Sequence, residues 1–368
     1  MQNLSINLLC PGHKYKPRQF EFHPDRRDVV VFGTLRGEAI IADASSNQII
    51  SQISTGLSEH RRDSILGLCW LRRHSLRYVV GSSAGASACR HAAAAIRASR
   101  PKGCESSTAA AAAAAHAAAH VRSAGLTLLR ESACAAGPHL TVAAACGASP
   151  QEGAVVSSFA PFEKLTSVHV NCTDDYMLAS GYSHDVAMYD VETGAVCRAF
   201  KDIHKNHINI SRFANQSPFL FATSSFDKTV KMWDARVRAD HSYVCPVPPA
   251  CPPPPPQTRP IYTCTSAQGH VMVCFSPDDA FLLTSAVDNE VTQYLTVDGR
   301  HHLKLDVPST AANRAENFTR AYYTASGRFI LSGSSEERAV RLHCSATGRL
   351  AHAVEMYPGR KHDSLYIQ

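Results

Sequence analysis

The sequence predicts an all-β fold built from repeated small antiparallel sheets, and three observations lead there. Five segments share one pattern: a β-rich run, two or three small residues, a polar turn and a second β-rich run. Within and before each segment, apolar and polar residues alternate with the period of a strand rather than a helix. The aligned positions Tyr189, Trp233, Tyr294 and His343 recur at intervals of 44, 61 and 49 residues. Removing a Pro-rich insertion from the longest interval leaves a period of roughly 40–45.

The repeats read VVVFGTLRGEAIIAD (Val29 to Asp43), YMLASGYSHDVAMYD (Tyr176 to Asp190), FLFATSSFDKTVKMWD (Phe219 to Asp234), FLLTSAVDNEVTQYL (Phe281 to Leu295) and FILSGSSEERAVRLH (Phe329 to His343). A sixth begins at Tyr78 to Gly85 and then dissolves, its third strand hard to find. Residues 1–85 therefore hold the first two repeats, with a closing strand at the N-terminus. Residues 86–161 are rich in Ala, Ser and His and read as a low-complexity, disordered insertion. Inside it, LTLLR (Leu126 to Arg130) and HLTV (His139 to Val142) read as remnants of the broken repeat. Residues 162–368 hold repeats three to six and the start of a seventh, with a Pro-rich loop at 245–260 that contains Pro252 to Pro256. HDSLYIQ at the C-terminus reads as a first strand, and SINLLC near the N-terminus as the outer strand of the same unit. A ring closed in this way protects its sheet edges, so seven units are expected, the seventh incomplete.

The 368 residues carry 37 Lys and Arg against 31 Asp and Glu, a net charge of +6. The basic residues are scattered, so charge alone does not point to nucleic acid. The 13 cysteines include no C-x-x-C pair, which argues against a structural zinc site and a secreted disulfide scaffold. Free thiols in a reducing compartment are expected, hence a nuclear and/or cytoplasmic protein. The N-terminus lacks the pattern of a signal peptide, and no apolar stretch reaches membrane-spanning length. His116 and His120 share a helical spacing, but two ligands make a weak metal site. No phosphate loop, H-E-x-x-H or G-x-S-x-G motif occurs, so neither a catalytic site nor a cofactor is expected.

The best-formed repeat carries a resemblance. His207 precedes an inner strand, Ser225 and Asp227 flank a tight turn, and Trp233-Asp234 ends the third strand. This resembles the WD40 family, which implies a β-propeller of seven blades here. The family's His–Ser/Thr–Asp–Trp network then maps onto His207, Ser225, Asp227 and Trp233. Other repeats depart from it: Gly269-His270 with Asp288 and Tyr294, Ser183 with Tyr189, Glu337 with His343, and Arg36 and Ala84 at the turns of the first two. Those first two blades are expected to be the least stable.

A narrower resemblance lies in the same repeat. Phe221 to Arg236, FATSSFDKTVKMWDAR, is similar to the DWD box, which ends in W-D-x-R. The family that carries it consists of substrate receptors of cullin-4 ubiquitin ligases. The resemblance implies that Asp234 and Arg236 dock on the damaged-DNA-binding adaptor subunit while a target protein is held elsewhere. Strand alternation turns Trp233 and Ala235 to one side and Asp234 and Arg236 to the other. Two other readings remain: a general WD40 scaffold of another complex, and a propeller that recognises DNA or chromatin. The last needs a basic face, for which Arg26, Arg27, Arg36, Arg72 and Arg73 are the candidates.

Overall fold

A computed structural model describes residues 17–46, 48–54, 64–92, 154–162, 164–236, 259–287, 289–307, 320–333 and 339–355. They form 24 strands in six four-stranded antiparallel sheets. The first sheet is β1 (Pro17–Phe22), β2 (Val29–Thr34), β3 (Glu38–Asp43) and β4 (Gln48–Ser54). The second is β5 (Ile65–Trp70), β6 (Arg77–Ser82), β7 (Ser87–His91) and β8 (Val155–Phe159). The third is β9 (Leu165–Val170), β10 (Tyr176–Gly181), β11 (Val186–Asp190) and β12 (Val196–Phe200). The fourth is β13 (Ile208–Phe213), β14 (Leu220–Ser225), β15 (Thr229–Asp234) and β16 (Tyr262–Thr265). The fifth is β17 (His270–Phe275), β18 (Phe281–Ala286), β19 (Val291–Leu295) and β20 (His301–Lys304). The sixth is β21 (Arg320–Tyr323), β22 (Phe329–Gly333), β23 (Ala339–Cys344) and β24 (Leu350–Glu355).

Each sheet is a meander; β2 and β3 of the first are buried on both faces, as the run VVVFGT of β2 illustrates, whereas β23 of the sixth is mostly half-buried. The fourth strands are the outer edges, and β4 shows it with a half-exposed pattern. The first strands lie side by side, β1 by β5, β5 by β9, β9 by β13, β13 by β17 and β17 by β21. The apolar core therefore sits between successive sheets. Leu178, Val186 and Phe200 of the third sheet pack against Ile208, Phe221 and Trp233 of the fourth. Ala222, Val230 and Met232 of the fourth pack against Val273, Phe275 and Tyr294 of the fifth.

Among the described residues there are six sheets, one fewer than the seven expected. β1 and β24 are complete members of the first and sixth sheets, so neither sheet borrows a strand from the termini. The two terminal segments assigned to a seventh blade lie outside the described residues. Both ends of the 86–161 insertion are strands, β7 and β8, which complete the second sheet. β7 escapes a propensity reading because Ser-Ala-Cys-Arg-His holds no β-branched residue; burial against its neighbours makes it a strand. The segments Leu126 to Arg130 and His139 to Val142, the pair His116 and His120, and most of the Pro-rich loop lie outside the described residues. The seven described cysteines are free thiols.

Neighbouring sheets are tied by carboxylates placed in the turns between first and second strands. Asp174 Oδ1 accepts the Arg72 N–H at 2.8 Å, and Oδ2 accepts those of Arg73 and His74 at 2.7 and 2.9 Å. Asp279 does the same for the N–H groups of Asn215 and Gln216, at 2.8 and 2.6 Å. Both aspartates have positive φ, 64° and 58°, a conformation Asp tolerates better than most residues.

The inner edge strands leave backbone N–H groups without a strand partner, and side chains of the preceding sheet cap them. Glu21 Oε2 accepts the Trp70 N–H at 2.8 Å, Cys69 Sγ that of Val170 at 3.5 Å, and His169 Nδ1 that of Phe213 at 3.2 Å. Glu21, Cys69 and His169 hold the same place on β1, β5 and β9, one residue before the strand ends in the first two and one before Val170 in the third.

Candidate functional site

The fourth sheet carries both the buried network and the outward pair that the sequence singles out. Trp233 lies opposite Phe221 in the β14–β15 register and is fully buried. Its indole Nε1–H donates to Thr223 Oγ1 at 2.9 Å. Thr223 and His204 Nε2 are 2.7 Å apart, and His204 Nδ1 is 2.9 Å from Asp227 Oδ2. A single proton order satisfies the chain: Trp233 to Thr223, Thr223 to a neutral His204, and His204 to the Asp227 carboxylate. Burial draws the His204 imidazole below its ordinary pKa, against the pull of Asp227. Burial opposes ionisation of Asp227, but bonds from His204, Thr229 and the Lys205 N–H outweigh it and hold the carboxyl well below its usual range.

Two members of the expected network are thus replaced: His204 stands for His207, and Thr223 for Ser225. His207 borders β13, and its ring stacks outward on Tyr182 and meets Phe226 edge-on. Ser225 closes the turn, donating to the carbonyls of Asn206 and His207 at 3.1 and 2.8 Å and accepting the Asp227 N–H at 3.1 Å. A signal for Thr223 was present in the sequence. Thr284 and Ser332 take the same register in the next two sheets, two residues beyond the cross-strand partners of Tyr294 and His343. In the sixth sheet His343 replaces the Trp, 3.4 Å from the Ser332 hydroxyl and 3.1 Å from the Asp306 carbonyl.

At the other end of β15 the alternation holds. Trp233 and Ala235 are buried, whereas Asp234 and Arg236 face outward. The two form a fork-to-fork pair, with Arg236 Nε 3.1 Å from Asp234 Oδ1 and Nη2 2.8 Å from Oδ2. The Arg236 backbone N–H also donates to Oδ1, at 2.9 Å. The guanidinium lies over the Phe219 ring at 5.2 Å and its side chain stays 45% exposed, against 9% for Asp234. Burial opposes ionisation of Asp234, but the Arg236 bonds prevail and its pKa is lowered. Arg198 of β12 donates to the Ala235 carbonyl beside the pair. The result is a cation held in one orientation at the surface, suited to a directional contact with a carboxylate or carbonyl group.

Of the five arginines considered for a basic face, four lie at one end of the sheets and one at the other. Arg26, Arg27, Arg72 and Arg73 lie in turns between first and second strands, and Arg36 lies at the opposite end, in the β2–β3 turn. Arg26 pairs with Asp28, and Arg72 donates to the carbonyl and side-chain oxygens of Asn215 at 3.1 and 2.8 Å. Among the described residues, no group of three His, Cys, Asp or Glu side chains is placed to hold a metal ion, and no helix is long and apolar enough to cross a membrane.

Residues 197–234 and 258–294, in the fourth and fifth sheets and the strand before them, match the family described as WD domain, G-beta repeat. Over 353 residues, 96% of this chain, the sequence is 38% identical to Protein DWD HYPERSENSITIVE TO UV-B 1 of Arabidopsis thaliana. Over 197 residues, 50% of the chain, it is 26% identical to Periodic tryptophan protein 2 homolog of Schizosaccharomyces pombe. The chain spans 36% of the length of the first relative and 20% of the second. Six meander sheets with their cores between them, the indole-to-carboxylate relay of the fourth, and these matches show WD40 repeats arranged as β-propeller blades, in a chain similar over nearly its whole length to an Arabidopsis protein named for DWD.

Proposed function

We propose that this propeller is a non-enzymatic substrate receptor that docks on the damaged-DNA-binding adaptor of a cullin-4 ubiquitin ligase, in the nucleus or cytoplasm. The observation that carries the reading is the Asp234–Arg236 pair: an exposed guanidinium fixed by two hydrogen bonds and seated on Phe219. Homology to a relative named for DWD supports it. The mechanism is tethering. One surface holds the adaptor and another holds a target, which raises the target's effective concentration near the ubiquitin-charged enzyme. Asp234 serves as the positioning residue and Arg236 as the contact.

Affinity purification from cells tests this. The wild type is expected to bring down the adaptor, while Arg236→Ala and Asp234→Ala lose it with the fold intact. Adaptor retained by both variants, or a wild-type purification rich in another assembly and lacking the adaptor, would support a general WD40 scaffold instead.

A further inference from the structure

On the face opposite Arg236, three rings from three segments form a ladder. Tyr182 follows β10, His207 precedes β13, and Phe226 sits in the β14–β15 turn. The Tyr182 and His207 rings stack with centroids 5.0 Å apart and planes at 23°. His207 meets Phe226 edge-on at 4.8 Å, and Phe226 is backed by Gly269, where a Cβ would come within 2.6 Å of its ring. Tyr182 remains 60% exposed. A ring held from behind and open in front loses little entropy on contact, which is the character of an interface anchor.

The exposed charge around the ladder is mostly positive. Lys164, Lys205 and Lys228 are exposed there, and the Lys164 carbonyl accepts the Tyr182 N–H at 3.0 Å. Among the described residues none of the three lysines lies within ion-pair distance of a carboxylate. The local carboxylates are otherwise engaged: Asp185 with Lys201 at 2.6 Å and with the Asp202 N–H at 2.8 Å, and Asp227 with His204. Asp202 is the exposed carboxylate of the region. His184 is the remaining titratable group of the β10–β11 turn, near enough to His207 to disfavour its protonated form, although burial is the larger cause of that shift.

We propose that this face docks an acidic peptide segment of a target protein, with one aromatic or aliphatic side chain laid on Tyr182 and its carboxylates against Lys164, Lys205 and Lys228. A single open ring face fits one anchor side chain, whereas single-stranded nucleic acid stacks successive bases on several open rings. The surface stands apart from the Arg236 reading, because the two lie at opposite ends of strands about 20 Å long.

Fluorescence anisotropy on the whole chain tests the proposal. One probe is a short labelled peptide of aspartate and glutamate around a central tryptophan; the others are its lysine counterpart and an oligothymidine. The acidic peptide is expected to bind best, and more weakly as salt rises. Tyr182→Ala and the double variant Lys205→Ser, Lys228→Asn are each expected to weaken it about tenfold or more. Asparagine is chosen because Lys228 has φ 71°, which Asn accepts, so the melting temperature should not change. Arg236→Ala should bind as the wild type does, so failure here and failure of adaptor docking are told apart. The proposal is overturned if the wild type does not bind the acidic peptide, if both variants bind it equally well, or if the oligothymidine binds more tightly.

Discussion

His204 and Asp227, with Nδ1 and Oδ2 2.9 Å apart, join the connection that enters the fourth sheet to the turn between its second and third strands. The pair is buried, with side-chain exposures of 0% and 4%. It anchors the relay that ends on Trp233, so the stability of this sheet depends on residues that no strand pattern marks. His204→Ala leaves Asp227 and Thr223 short of a partner and is expected to cost about 1–3 kcal/mol. His207→Ala removes a half-exposed ring stack and should cost less than half as much. Urea midpoints of the two variants check this; equal losses would return the network to His207.

Asp174 collects three consecutive N–H groups from the sheet before its own. Asp174→Ala strands all three and also places alanine at φ 64°, so a loss of about 2 kcal/mol or more is expected. Asp174→Asn keeps the backbone conformation and one acceptor oxygen and should fall between the variant and the wild type. Thermal melts of the three proteins give the order.

The two ionisable caps on the inner strands give opposite pH dependences. Burial raises Glu21 to about 7 from an ordinary 4.5, against the Trp70 N–H and the charges of Arg212 and Arg72. Between these values the native state keeps a proton that the unfolded chain has lost. The contribution of Glu21 is therefore full below pH 4.5 and is lost as pH rises through 7. Glu21→Gln retains an acceptor for Trp70 and cannot ionise. At pH 8 it is expected to be more stable than the wild type by roughly 1–3 kcal/mol, with the gap closing toward pH 4.5.

His169 runs the other way. Burial, with Arg212 and Arg72 nearby, holds it neutral well below 6.5. Its contribution is present above pH 6.5 and is lost as pH falls, because the unfolded chain takes up the proton first. His169→Gln should flatten the acid limb of stability below pH 6.5. Urea midpoints measured across pH separate the two residues.

The strands that the sequence reveals are those of the repeated pattern, a β-rich run before a polar turn and a second run after it, such as β14, β15 and β18. β7 and β8 are hidden because small residues form one and a low-complexity stretch adjoins the other; only contact with the rest of the second sheet makes them strands. Asp227 and Trp233 are legible since the turn and the large ring leave local marks. His204 is not, because its partner is reached through a bend of the chain while His207 sits directly at the strand, where the pattern draws the eye. The outward side of Arg236 follows from alternation. Its bond to Asp234 follows from the same rule, since residues two apart share a face, yet only the distances show both oxygens engaged.

The proposed docking is tested most directly by calorimetry of the purified chain with the purified cullin-4 adaptor, for the wild type, Arg236→Ala and Arg236→Lys. Under the proposed docking, removal of the Arg236 guanidinium is expected to weaken binding by about 2 kcal/mol or more, roughly thirtyfold. Lysine, which keeps the charge but not the fork, should restore little of it. Equal affinities for all three proteins, or no binding by the wild type, would contradict the account.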